Sequence, residues 1–146
     1  MKKSVFARAI FAGILLLSLP TAAHAATEDD GYTPGVDGSL TLAGSEVAGV
    51  CDNDLGVLRA KAGELDAALD HFADARACFV NSAADLASVA FNESLVLWEQ
   101  HRSLDAMERV REARAGFVAA EVELPVAWCD QNLGVLLAED GRLTEA

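Results

Sequence analysis

The chain has 146 residues, which is enough for one compact domain or a short array of repeats but too few for two full domains. Its 23 acidic residues outnumber 11 basic ones, and the resulting net charge of −12 repels phosphate backbones, so nucleic acid is not an expected partner. A hydrophobic content of 52% with only 6% aromatic residues, together with abundant alanine, favours packed helices over β-sheets.

Residues 1–25 have the organisation of a secretory signal peptide. Lys2, Lys3 and Arg8 form a positive region, and the apolar run after them is about half of the ~20 residues that span a bilayer as a helix. An Ala-His-Ala sequence ending at Ala25 suits signal peptidase. We therefore predict cleavage after Ala25, a secreted or envelope-located protein, and no stable membrane insertion after signal cleavage. The alternative is an uncleaved membrane anchor, against which the shortness of the apolar run argues.

Residues 26–44 are rich in glycine, proline and acidic side chains, which predicts a flexible linker with one potential strand at residues 39–43. The acidic residues lack the ligand spacing of an EF-hand loop, so no calcium site is expected there.

From residue 45 onward, apolar residues recur at helical spacing and predict five helices. Gly63 and Gly141 are placed to end the first and fifth helices, Ser82 and Asp85 form a capping box before the third, and Pro125 suits the first turn of the fifth. The predicted core stripes are, in chain order, Cys51, Leu55, Leu58 and Ala62; Leu65, Ala68, Leu69, Phe72, Ala75 and Phe79; Phe91, Leu95 and Trp98; Leu104, Met107, Val110, Ala113 and Phe117; and Cys129, Leu133 and Leu136.

The octapeptide CDNDLGVL at Cys51 returns as CDQNLGVL at Cys129, 78 positions later, and DARACF at Asp74 is echoed by EARAGF at Glu112. Half of that distance, 39 positions, is a suitable length for one helix–turn–helix unit. The pattern predicts an all-α fold, a helix-turn-helix repeat array or short α-solenoid of about two and a half repeats. Its units are residues 45–81, 82–120 and 121–146, and the last is incomplete.

Residues 55–75 resemble the tetratricopeptide repeat in Leu55-Gly56, Gly63, Ala68, Phe72 and Ala75. The spacing is longer than the usual ~34 residues of that family, and Asp52, Asp130 and Arg59 depart from its pattern. The resemblance implies a non-catalytic scaffold that binds a protein or peptide in a groove lined by the first helix of each pair. The residues that we place in this groove are Asn53, Val57, Lys61, Gln131, Val135 and Glu139.

Alternatives to this groove remain open. The six residues could be ordinary exposed helix surface. The protein could be a structural or assembly module whose open C-terminal repeat docks on another chain or self-associates, or a truncated fragment of a larger repeat-containing regulator.

The sequence offers little chemistry for catalysis. Cys51 and Cys78 lie where the two helices of one hairpin could bring them into a disulfide; otherwise Cys51, Cys78 and Cys129 are small core hydrophobes. His71 precedes Cys78 by seven residues, but nothing marks a third orienting group, so a solvated histidine is expected. Neither His71 nor His101 has partners at zinc spacing. We expect a protein that is not an enzyme and has no cofactor and no metal.

Overall fold

The computed structural model describes residues 39–141, with side chains from Glu46 onward. These residues form five helices and no strand: α1 (Ser39–Lys61), α2 (Leu65–Cys78), α3 (Ala83–Glu99), α4 (Ser103–Ala119) and α5 (Glu123–Glu139). Each helix packs against the next, and α1 also contacts α3. The predicted all-α array of helix hairpins is confirmed. The predicted signal peptide and residues 142–146 lie outside the described residues.

The first helix begins earlier than expected. Helix α1 starts at Ser39, so residues 39–44, predicted as linker with a strand at 39–43, are helical. Leucine and alanine in this stretch favour a helix, and Gly44 is tolerated within it at a cost of about 1 kcal/mol relative to alanine. A single strand would have no ladder partner in the described part of the chain.

Four turns of the described residues share one backbone conformation: Glu121 after α4 has a φ of 58°, and the other three follow the first helix of each hairpin. Gly63, His101 and Gly141 have φ values of 82°, 61° and 77°, and each lies two residues after the end of α1, α3 or α5. A left-handed residue at this place is a common way to end a helix. These turn residues are 38 and then 40 positions apart, so the 78 positions between the octapeptides divide unequally rather than into two units of 39.

The core consists of two adjoining clusters, and α3 contributes to both. Val89 and Val96 of α3 pack with residues of α1 and α2, whereas Phe91 and Leu95 pack with residues of α4 and α5. Every residue from Ala87 to Leu97 is buried. Helix α3 is therefore the middle element of the array, with both of its sides covered by neighbours.

The second helices of the first two hairpins match each other position by position. Ala68, Phe72 and Ala75 of α2 and Phe79 directly after it are buried, as are Ala106, Val110, Ala113 and Phe117 of α4, which lie 38 positions later. The predicted stripes of α2 and α4 are thus largely confirmed; Leu104 is the exception, with 59% of its surface exposed. The predicted cap is also present, since Ser82 Oγ accepts a hydrogen bond of 3.3 Å from the backbone N–H of Asp85.

Candidate functional site

The predicted core stripe of α1 lies on the outside of the molecule. Val47, Leu55 and Leu58 are 57%, 42% and 58% exposed, and Cys51 is exposed between them. We call these four residues the α1 apolar face. The buried side of α1 is formed instead by a different set: Gly49, Asn53, Gly56, Val57 and Ala60. The prediction that Cys51, Leu55, Leu58 and Ala62 form the core of α1 is therefore wrong.

The predicted groove does not form on α1. Asn53 and Val57 are 1% and 0% exposed, because they belong to the side of α1 that packs into the core. Asn53 Oδ1 accepts a hydrogen bond of 3.1 Å from Asn92 Nδ2 of α3, so the amide that was expected to bind a peptide binds the neighbouring helix. Lys61 is exposed.

The three groove residues predicted on α5 remain at the surface to different degrees. Gln131 and Glu139 are exposed, and Val135 is half-buried. Glu139 Oε2 accepts a hydrogen bond of 2.7 Å from Trp98 Nε1 of α3. Since Asn53 and Val57 are in the core, the six predicted residues cannot together line one groove.

The two copies of the octapeptide bury opposite sides. In α5, Cys129 and Leu136 are 0% and 1% exposed, whereas their counterparts Cys51 and Leu58 in α1 are exposed. Conversely, Gly134 is exposed and Gly56 is buried. The reason lies in the neighbours: α1 packs against α2 and α3, which follow it, whereas α5 packs against α4, which precedes it.

Helix α3 has neighbours on both sides, because helices precede it and follow it in the array. The counterparts of Cys51 and Leu58, 38 positions later, are Val89 and Val96, and both are 0% exposed against the cluster formed with α1 and α2. The same stripe of the repeat is therefore covered in α3 and in α5. Within the described residues, only α1 leaves it open.

An acidic group borders the α1 apolar face. The Asp52 side chain is 27% exposed, and its Oδ1 lies 3.3 Å from Nδ1 of His71 on α2. One ligand atom from each of Asp52, His71 and Asp74 lies within 4.8 Å of the others, so this group offers an imidazole and two carboxylates to a cation. Residue spacing along the chain did not predict this group, because Asp52 lies on α1 whereas His71 and Asp74 lie on α2. His71 is half-buried and paired with Asp52 rather than fully solvated.

Ion pairs connect α2, α3 and α4. Arg76 donates to both carboxylate oxygens of Glu93, at 3.0 Å and 2.8 Å, and to Glu112 at 2.7 Å. The hydrogen bond to Glu93 raises the pKa of Arg76 most, burial opposes that rise, and Glu112 adds to it. Burial by itself raises the pKa of Glu112, but hydrogen bonds from Arg76 and Arg109 outweigh it, so that pKa is lowered overall. The network fixes the second helix of one hairpin to the next hairpin.

Arg114 occupies on α4 the position that Arg76 occupies on α2. Its Nε donates to Asp130 Oδ1 of α5 at 2.6 Å, and this hydrogen bond raises the pKa of Arg114. Each of these second helices thus uses an arginine to reach an acidic side chain on the helix that follows it.

All three cysteines are free thiols, so the disulfide proposed between Cys51 and Cys78 is absent. Cys78 lies against the buried side of α1, where a Cβ added at Gly49 would stand 2.9 Å from the Cβ of Cys78. Cys51 is on the opposite, exposed side of the same helix, which keeps the two apart. Burial raises the pKa of Cys129 to about 12, so that thiol stays protonated at neutral pH.

A cleft of about 250 Å³ lies where α2, α3 and α4 meet. Its acidic side chains include Glu93, which is held by Arg76, and Asp105, which pairs with Arg102 at 2.8 Å. Most of the charged side chains that line the cleft are thus engaged in ion pairs. The lining residues are Glu93, Arg102, Asp105, Glu108 and Arg109, together with Leu69 and Leu97.

Comparison of the chain with protein-family models, curated proteins and solved structures gives no match. The likeness to the tetratricopeptide repeat accordingly stays a prediction from the sequence. Among the helices within residues 39–141, none is long and apolar enough to cross a membrane.

Proposed function

We propose that this chain is a non-catalytic, exported scaffold that binds another polypeptide, and that the α1 apolar face is its binding surface. One observation carries the proposal: the positions of Cys51 and Leu58 are buried in both other copies of the repeat, as Val89 and Val96 in α3 and as Cys129 and Leu136 in α5, and are exposed in α1. Because a preceding helix of the array covers this stripe in α3 and α5, the same stripe in α1 is suited to bind a helix of another polypeptide.

The dimensions of the face support this use. Val47, Cys51, Leu55 and Leu58 follow one side of α1 over three turns, a length of about 16 Å at 1.5 Å per residue. A single amphipathic helix presents anchors over the same length at positions three and four residues apart. Exposed leucine and valine side chains that are aligned in this way differ from the isolated apolar residues found on most protein surfaces.

The charge of the chain indicates what kind of partner fits. The net charge of −12 favours a basic or neutral partner, because like charges brought together at an interface weaken binding. Asp52 at the edge of the face adds a specific acidic contact. The signal peptide predicted at residues 1–25 would expose this surface to secreted or envelope proteins.

The proposal is tested by capture on the immobilised chain, with secreted and envelope proteins of the producing organism as the sample. Leu58→Asp places a charge in the face, and Leu104→Asp places the same charge at a matched leucine on α4; the two leucines are 58% and 59% exposed. A specific partner should be lost with Leu58→Asp and kept with Leu104→Asp. Equal capture by both variants would show that the face is not the binding surface.

Assembly through α5 is a second candidate. No described atom lies within 4 Å of where a Cβ at Gly134 would stand, whereas its counterpart Gly56 is covered by Phe72. The exposed side of α5 could therefore seat a helix from another copy of the chain. Light scattering over a range of concentrations decides this, because a monomer mass at every concentration rules out self-assembly.

A further inference from the structure

We infer that the partner segment for the α1 apolar face is an amphipathic helix, supplied by a separate polypeptide, whose packing edge has the pattern Ala-Arg-x-x-Phe. The inference rests on the proposed function and specifies its ligand. Its basis is the pair of helices that already cover the equivalent stripe inside the array.

The two covering helices share this edge. Helix α2 and the residue after it read Ala-Arg-Ala-Cys-Phe from Ala75 to Phe79, and α4 reads Ala-Arg-Ala-Gly-Phe from Ala113 to Phe117. The first alanine of each is 0% exposed, and the phenylalanines are 3% and 2% exposed. The side chains through which these helices pack are therefore the first alanine and the phenylalanine of each pattern.

Each edge belongs to the same cluster as the stripe that it covers. Ala75 and Phe79 pack in one cluster with Val89 and Val96 of α3. Ala113 and Phe117 pack in the other with Cys129 and Leu136 of α5. The arginine between them reaches an acidic residue on the covered helix, Glu93 in the first case and Asp130 in the second.

Within residues 39–141, helix α1 carries counterparts of the covered residues of α5 and has no covering helix on that side. Cys51 and Leu58 stand at the positions of Cys129 and Leu136, and Asp52 stands at the position of Asp130. The ionic contact of Asp52 within residues 39–141 is with His71, at 3.3 Å. An arginine on an incoming helix would therefore find a carboxylate beside the apolar stripe, as Arg114 does on α5.

Segments of the chain itself also carry this pattern, and they are less suitable than a separate polypeptide. In a second copy of the chain, Phe79 and Phe117 are already buried in its own array. Residues 7–11 also read Ala-Arg-Ala-Ile-Phe, but they lie inside the predicted signal peptide, which is removed on export. The experiment below separates this segment from an external partner.

The probe is a synthetic peptide with the sequence of residues 103–121, added to the chain while the alkylation rate of Cys51 is followed by mass spectrometry. Cys51 lies within the face, so a seated helix must shield its thiol. We expect the rate of Cys51 alkylation to fall by at least about tenfold at saturating peptide. A tenfold change corresponds to a free-energy difference of about 1.4 kcal/mol. Peptides carrying Phe117→Asp or Arg114→Glu should protect weakly, and Leu58→Asp in the chain should abolish protection while Leu104→Asp keeps it.

Three results would overturn the inference. The first is an equal reaction rate of Cys51 with and without peptide; if capture still depends on Leu58, the proposed function then stands with a different partner. Equal protection by the Phe117→Asp peptide would show that the edge is not recognised. Slow alkylation in the chain with residues 1–25, but fast alkylation in the chain from Ala26, would identify the occupant as the chain's own leading segment.

Discussion

The ring of Phe72 on α2 lies directly over Gly56 on α1, so close that a Cβ at Gly56 would stand 2.4 Å from Cε1 of the ring. Gly134, the same glycine in the second octapeptide, has open space around it in the described part of the chain. The pair offers a direct test of which side of the repeated helix is packed.

We predict that Gly56→Ala destabilises the protein and Gly134→Ala does not. The first substitution forces Phe72 out of a packed site, at about 1–3 kcal/mol, whereas the second gains up to about 1 kcal/mol of helix propensity. Urea denaturation followed by circular dichroism gives both free energies of unfolding. Equal effects of the two substitutions would contradict the packing of Phe72 on Gly56.

The two equivalent arginines should differ in importance. Arg76→Ala leaves the Glu93 carboxylate, only 9% exposed, without its principal partner, and should cost roughly 2–4 kcal/mol. Arg114→Ala removes a pair whose side chains are 44% and 51% exposed, and should change stability little. The midpoint of urea denaturation measures both variants. A small loss with Arg76→Ala would show that water or Arg109 compensates for the missing guanidinium.

The acid sensitivity of the fold should depend in part on Glu112. Its pKa is lower in the folded chain than in the unfolded chain, so its ionised form contributes stability that is fully present above the unfolded value of about 4.5. That contribution is lost as the pH falls through the folded pKa. Free energies of unfolding at pH 7 and near pH 3 should therefore differ less in Glu112→Gln than in the wild type. An unchanged pH dependence in this variant would argue against the Arg76–Glu112–Arg109 contacts.

The three thiols should react in a fixed order under native conditions. Cys51 is exposed, Cys78 is half-buried, and Cys129 is buried with a pKa of about 12, so its reactive thiolate is scarce near pH 8. Alkylation followed by mass spectrometry should label Cys51 first and Cys129 only when the chain unfolds. Rapid labelling of Cys129 would mean that α5 is not seated on α4. A disulfide between Cys51 and Cys78 in the oxidised protein would contradict their placement on opposite sides of α1.

Much of the architecture could be read from the pattern of residues. Phe72, Val110 and Phe117 have a helical spacing that places them on one side of their helices, and the structure buries all three. Gly63 and Gly141 ended helices as predicted, because glycine adopts a left-handed conformation without strain. His101 takes the same conformation without that advantage, so the equivalent turn of the second repeat carried no signal in the sequence.

Which side of α1 and which side of α5 is buried could not be predicted from the local sequence. Two nearly identical octapeptides have the same propensities and the same apolar spacing, so local sequence predicts the same orientation for both. Burial depends instead on which neighbours are present, and α1 has them on one side while α5 has them on the other. Leu58 became surface and Leu136 became core for that reason alone.

The amino-acid sequence by itself determined that this chain forms paired helices in a repeating order, because helix propensity, apolar spacing and turn residues act over a few neighbouring positions. Only the tertiary structure decided which side of each helix is covered and where an uncovered face remains, because burial is a property of contacts between distant segments. The α1 apolar face, on which the proposed function rests, follows from those contacts.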